Sequence, residues 1–100
     1  MRPSTTDGTP TTPRVRKLPD LGNIVRARRK ASGIRIDDAA ALSGVSVDLL
    51  SRLENGNSGV STDRVLKVLD ALGLQMLVVD KSKVARVLAA LGAQESSGGR

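Results

Sequence analysis

Residues 36–55 read IDDAAALSGVSVDLLSRLEN, and the fold turns on how this stretch is interpreted. Asp37 and Asp38 fall in what would be a first helical turn, where the helix dipole favours negative charge, so a short helix is expected over Ile36–Ser43. Gly44 stands where the chain must take a left-handed turn, a conformation that costs a non-glycine residue roughly 1 kcal/mol. Ser46 then caps a further helix ending near Asn55, and Val45, Leu50 and Leu53 recur at spacings that turn one apolar face toward the other helices. Ala40 is small where the two helices would cross closest. The stretch predicts two short helices packed across a glycine turn.

The flanks supply more helices. LGNIVRARRKAS follows Asp20, a candidate N-cap, and carries a modest stripe of Leu21, Ile24, Val25 and Ala27 up to a stop at Gly33. Arg26, Arg28, Arg29 and Lys30 circle most of that helix, so at least one of them must face other protein groups. Ser61 caps TDRVLKVLDAL, which has Asp63 in its first turn, Val65, Val68, Leu69 and Leu72 at helical spacing, and Gly73 to end it.

LQMLVV, residues 74–79, changes period and predicts a strand. A lone strand leaves its backbone groups unpaired and its apolar side chains exposed. The expected solution is pairing with the same strand of a second copy about a twofold axis, through Leu74, Met76, Leu77, Val78 and Val79. The alternatives are a buried coil or a continuation of the preceding helix. Beyond it, SKVARVLAALGAQ echoes DRVLKVLDALGLQ at an offset of 19 residues, with seven of twelve aligned pairs identical from Arg64/Lys83 to Gln75/Gln94. The echo predicts a second amphipathic helix over 81–93 with Val84, Val87, Leu88 and Leu91 on one face. That face either packs on the home domain or dimer or receives a partner. Residues 94–100 read as a flexible tail.

Composition removes several functions. One hundred residues make one small domain, and without Phe, Tyr, Trp, His or Cys its core must be Leu, Ile, Val, Ala and Met. No thiol or imidazole is available for the usual zinc sites, for nucleophilic catalysis or for proton transfer near neutral pH, and aromatic stacking on single strands is excluded. Asp37 and Asp38, as sequence neighbours, point about 100° apart on a helix, which disfavours both a carboxylate metal site and paired-carboxylate catalysis. No enzyme activity, metal or cofactor is expected. No apolar run approaches the roughly 20 residues that cross a bilayer, and the start has no secretory apolar region, so a soluble intracellular protein is expected, a location that the family resemblance given below narrows to the bacterial cytoplasm, at the nucleoid.

Charge is distributed unevenly. The net charge is +6, with +7 over residues 1–36, −4 over 37–80 and +3 over 81–100. Residues 1–19 have three prolines before Val15 and almost nothing apolar, which predicts a disordered basic arm. Such a front end suits a polyanion such as phosphate, or is simply a solvated tail.

Residues 36–55 resemble the core of the helix-turn-helix in the Xre/Cro repressor family, on Ala40, Gly44, Val45, Leu50 and Leu53. The resemblance implies an all-α, compact, lambda-repressor-like bundle, here with one C-terminal β-strand pairing across a homodimer. Arg29, four residues before Gly33, matches the first-helix arginine that in this family pairs with the glutamate closing the recognition helix, here Glu54. A planar guanidinium can satisfy a carboxylate bidentately; the alternative is two solvated charges that never meet. From Leu21 to Val79, 59 of the 100 residues, the chain is similar to the HipB-type antitoxins of type II toxin–antitoxin systems. That likeness implies a dimer on a palindromic double-stranded operator, autoregulation, and a HipA-type serine/threonine kinase toxin as partner. A stand-alone Xre-family regulator and an interaction module that has lost DNA reading are the other readings of the same core. The chain departs from the family at Arg35-Ile36, where Thr-Gln is common: Arg35 cannot cap a helix, and Ile36 can donate no hydrogen bond to DNA.

With 20–80 as the DNA-binding domain, the candidate base-facing residues are Ser46, Val47, Asp48, Ser51 and Arg52. Arg52 can grip guanine, Val47 can touch a thymine methyl, and Asp48 can accept from cytosine N4 or merely stabilise the helix dipole. The candidate phosphate contacts are Arg14, Arg16, Lys17, Arg26, Arg28, Lys30, Arg35, Asn55 and Asn57, with backbone N–H groups around Asn55 to Ser58.

Overall fold

The computed structural model describes residues 12–99, with side chains as far as Gly92. Most of the expected arm, residues 1–11, and Arg100 of the expected tail lie outside the described residues. Five helices follow one another: α1 Leu18–Ala31, α2 Ile36–Ser43, α3 Val47–Glu54, α4 Thr62–Ala71 and, after a 3-10 turn at Lys81–Lys83, α5 Val84–Gly99.

The ends of these helices follow from single residues. Ser46 Oγ accepts the Leu49 N–H at 3.0 Å to start α3, and Ser61 Oγ accepts the Arg64 N–H at 3.3 Å to start α4. Gly44 takes φ +75° between α2 and α3, and the Val45 N–H returns to the Ala40 carbonyl at 3.0 Å, which closes the turn. α1 begins two residues before the expected Asp20 cap, and Pro19 in its first turn loses no bond that the helix could have made. Asp20 is instead the third helical residue, and its carboxylate reaches back to accept the N–H groups of Arg16 at 2.9 Å and Lys17 at 3.0 Å. Those two backbone donors, Arg16 first, hold its carboxyl below the ordinary aspartate value.

The core is entirely aliphatic. Leu21 and Val25 of α1, Ala39 and Ala40 of α2, Leu50 and Leu53 of α3, and Val65, Val68 and Leu69 of α4 form it together with Leu72. Val25, Leu50 and Val68 are its largest wholly enclosed side chains, each contributing about 1.5–3 kcal/mol of burial. α1 packs on α3, and α2 packs on both α3 and α4, so α3 is held from two sides. Gly22 makes the first of these contacts possible. A Cβ there would lie 2.5 Å from the Leu53 carbonyl oxygen and 2.6 Å from that of Glu54.

Two C-terminal expectations are corrected. Residues 74–80 form no regular element, and no strand occurs among the described residues. The reason is physical: a ladder needs a partner strand, and none stands beside this segment among the described residues. After the Leu74 N–H, which closes α4 on the Leu69 carbonyl at 2.7 Å, residues 75–79 make no backbone–backbone hydrogen bond among the described residues. The expected tail from residue 94 instead continues α5 to Gly99.

The sequence echo also resolves in three dimensions. In α4 the repeated apolar positions Val65, Val68 and Leu69 are buried, whereas Val84, Val87 and Leu88 of α5 are only half covered and Leu91 is exposed. Among the described residues, α5 packs closely on its own 3-10 turn and at most loosely on the other helices. Together with residues 74–79 and the α1 and α4 side chains Leu21, Ile24 and Leu69, it borders an apolar groove of about 740 Å³.

Candidate nucleic-acid interface

The orientation of α3 is fixed by its last charged residue. Glu54 is 3% exposed, and its carboxylate accepts from Arg29 Nε at 2.6 Å and Arg29 Nη2 at 2.9 Å. The remaining guanidinium nitrogen, Nη1, donates to the Ile34 carbonyl at 3.0 Å. One side chain therefore ties α1, the α1–α2 loop and the C-terminal end of α3 together. Its hydrogen bond to Glu54 raises the Arg29 pKa above the ordinary guanidinium value, against the opposing effect of burial. Arg26 adds a second, looser cation 3.7 Å from the same carboxylate.

With Leu50 and Leu53 inward, the opposite arc of α3 meets solvent. Val47 is 44% exposed, the Arg52 side chain is also 44% exposed and the Asp48 side chain is 81% exposed, while Ser51 is half-buried. Arg52 Nη1 lies 3.6 Å from Asp48 Oδ2, one helical turn away. Ser46 is exposed, but its hydroxyl oxygen is engaged as the α3 cap. The outward arc thus combines an apolar contact, hydroxyls and a guanidinium, the group types that contact base edges in a major groove.

The nine candidate phosphate residues divide by what already holds them. Arg28 Nε donates to the Leu72 carbonyl at 2.8 Å, so its charge sits at the C-terminal end of α4, where the helix dipole favours it. Arg26 is engaged with Glu54, and Arg35 lies 3.3 Å from Asp37 while its side chain remains 81% exposed. Asn55 Nδ2 donates to the Ser51 carbonyl at 2.9 Å. The backbone N–H groups of Asn55, Gly56 and Asn57 donate to the carbonyls of Ser51, Leu53 and Arg52, which withdraws three of the expected anion donors. Lys17, Lys30 and the Asn57 side chain are exposed. Arg14 and Arg16 line the groove beside residues 74–79 and α5, and no residue of α3 shares that lining.

Three contacts had different legibility in sequence. The Arg28 link to Leu72 spans 44 residues and left no local sign. The proximity of Gly59 to Arg52, where a Cβ would lie 3.1 Å from Nη2, was equally silent. The i, i+4 spacing of Asp48 and Arg52 is a helix-pairing signal that the sequence did carry.

Comparison with known proteins places this geometry in a family. The helix-turn-helix domain family matches residues 20–80, which span α1 beyond its first two residues, α2, α3, α4 and the irregular segment 74–80. The chain is also similar to the uncharacterized HTH-type transcriptional regulator y4mF of Sinorhizobium fredii (strain NBRC 101917 / NGR234), with 35% identity over 60 residues, 60% of this chain and 79% of that protein. The match runs through the Gly44 turn, the Arg29–Glu54 lock and the aliphatic core that sets α3: the chain belongs to the helix-turn-helix domain family.

Proposed function

We propose that the chain is a sequence-specific DNA-binding transcriptional regulator that presents α3 to the major groove of a palindromic operator as a homodimer. The observation that carries this reading is the outward arc of α3, held rigidly by a buried ion pair at its end and bearing Val47, Ser51 and Arg52 toward solvent. Base contact falls to Arg52, Val47 and Ser51. Phosphate contact falls to Lys17, Lys30, Arg35 and Asn57, which keep exposed side chains.

Dimerisation is assigned to residues 74–79. Leu77 is 75% and Val78 89% exposed, and the backbone around them has no hydrogen-bond partner among the described residues. The segment carries no charge, so two copies can lie antiparallel without like-charge repulsion. The resemblance of Leu21–Val79 to HipB-type antitoxins supports the finer reading, an antitoxin and autorepressor that binds a HipA-type serine/threonine kinase toxin.

The test is a tagged pull-down from the native cell, with bound DNA sequenced and bound protein identified. An inverted repeat recovered with a kinase supports the full proposal. DNA recovered without a protein partner leaves a stand-alone regulator, and no enriched DNA refutes DNA reading. On the purified chain, Arg52→Ala is expected to weaken binding to the recovered operator by about 1–3 kcal/mol. Leu77→Lys is expected to leave the helical signal intact and to shift sedimentation to the monomer.

A further inference from the structure

We infer that Asp48 is a positioning residue for Arg52 and is not itself a reader of bases. This rests on the DNA-reading role proposed above and assigns a task to the one negative charge on the outward arc of α3. Asp48 Oδ2 lies 3.6 Å from Arg52 Nη1. At the other terminal nitrogen of the same guanidinium, a Cβ added to Gly59 would come within 3.1 Å of Nη2. The loop is folded back over this residue, since the Arg52 carbonyl accepts the Asn57 N–H at 3.0 Å.

The consequence follows from the shape of the group. A guanidinium presents five N–H donors in one plane, and guanine O6 and N7 accept two of them side by side. In this arrangement the Asp48 carboxylate, beside Nη1, biases the rotation of the group by charge attraction, while Gly59 has no side chain to cover Nη2. The edge formed by Nε and Nη2 is the one that this arrangement would offer to a base. A free arginine on an exposed helix would lose rotamer freedom on gripping guanine, and an arginine already steadied loses less. Asp48 also carries its own neutralising partner to the duplex, so its charge meets the phosphates as half of a pair.

The experiment selects operators from a random duplex library with the full chain. Affinities for single-base variants of the selected half-site are then measured for wild type, Arg52→Ala, Asp48→Ala, Asp48→Glu and the double Ala variant. Arg52→Ala is expected to abolish the preference for one guanine in each half-site, a discrimination of about 5- to 150-fold. Asp48→Ala is expected to weaken preference at that same guanine by about two- to fivefold and nowhere else. Asp48→Glu, which can still reach Arg52 across one turn, should restore most of it, and Asp48→Ala should have no further effect once Arg52 is alanine. A lost preference for cytosine at another position, persisting in the Arg52→Ala background, would make Asp48 a direct reader and overturn the inference. So would a uniform gain in affinity with unchanged base preference. If wild type enriches no sequence, the DNA-reading role falls and this inference with it, whereas enrichment with Asp48→Ala indifferent overturns this inference alone.

Discussion

Replacing Arg29 by alanine removes both donors from a carboxylate whose side chain is 2% exposed. The two bonds, at 2.6 and 2.9 Å, are charge-assisted, and at an effective dielectric of about 20 a pair some 4 Å apart between charge centres attracts by about 4 kcal/mol. Breaking a buried pair from one side generally costs about 3–5 kcal/mol, because the remaining charge stays desolvated. Arg26, 3.7 Å from Glu54 and half exposed, can swing in, which places Arg29→Ala near the lower end, about 3 kcal/mol. For a domain this small, with about 5 kcal/mol of total stability, that is more than half. With an m-value of about 1 kcal/mol per molar urea, the midpoint should fall by about 3 M. The assay is urea unfolding followed by circular dichroism at 222 nm, since the chain has no aromatic fluorophore. Arg29→Met/Glu54→Leu, which removes both charges and keeps the volume, should lie within about 1–2 kcal/mol of wild type. A loss below about 1 kcal/mol in Arg29→Ala, or a double variant worse than either single, would refute the assignment of a buried, one-sidedly fragile ion pair.

Two further outcomes test the frame around α3. Gly22→Ala gains about 1 kcal/mol of helix propensity but drives a methyl into two backbone carbonyls at 2.5 and 2.6 Å, so a net loss of about 2 kcal/mol is expected in the same urea assay; stability at or above wild type would show that α1 and α3 do not approach so closely. Asp20→Asn tests the start of α1 by pH. The folded pKa of Asp20 lies below the unfolded one because the Arg16 and Lys17 N–H groups favour the carboxylate, so its contribution is present above the ordinary value of 3.8 and is lost as pH falls through the lower folded value. Wild type should therefore lose stability more steeply than Asp20→Asn below about pH 4, and parallel profiles there would refute the contact.

The sequence by itself determined the helical frame, because each boundary rests on chemistry local to a few residues. Ser46 and Ser61 cap with their own hydroxyls, Gly44 supplies the left-handed turn, and the apolar spacing of Leu50, Leu53, Val65, Val68 and Leu69 places each helix face. Where the local rule admitted two answers it misled: Asp20 suits a cap, which would accept the N–H groups two or three residues ahead, but Pro19 fits the first turn one residue earlier, and the carboxylate reaches back from inside the helix to the N–H groups of Arg16 and Lys17 instead.

Only the tertiary structure decided which charges remain available to a ligand. Family resemblance marks Arg29 as the partner of Glu54, but nothing in the sequence separates Arg26, Arg28 and Lys30, yet Arg28 is bound to the carbonyl of Leu72, Arg26 lies beside the Glu54 carboxylate that Arg29 holds, and Lys30 is exposed. The repeated apolar pattern divides in the same way. In α4 it is buried because α2 packs on that helix, and in α5 it borders a groove. Periodicity specifies that a face is apolar, whereas its partner is set by the distance and direction of groups many residues away, which no local pattern encodes.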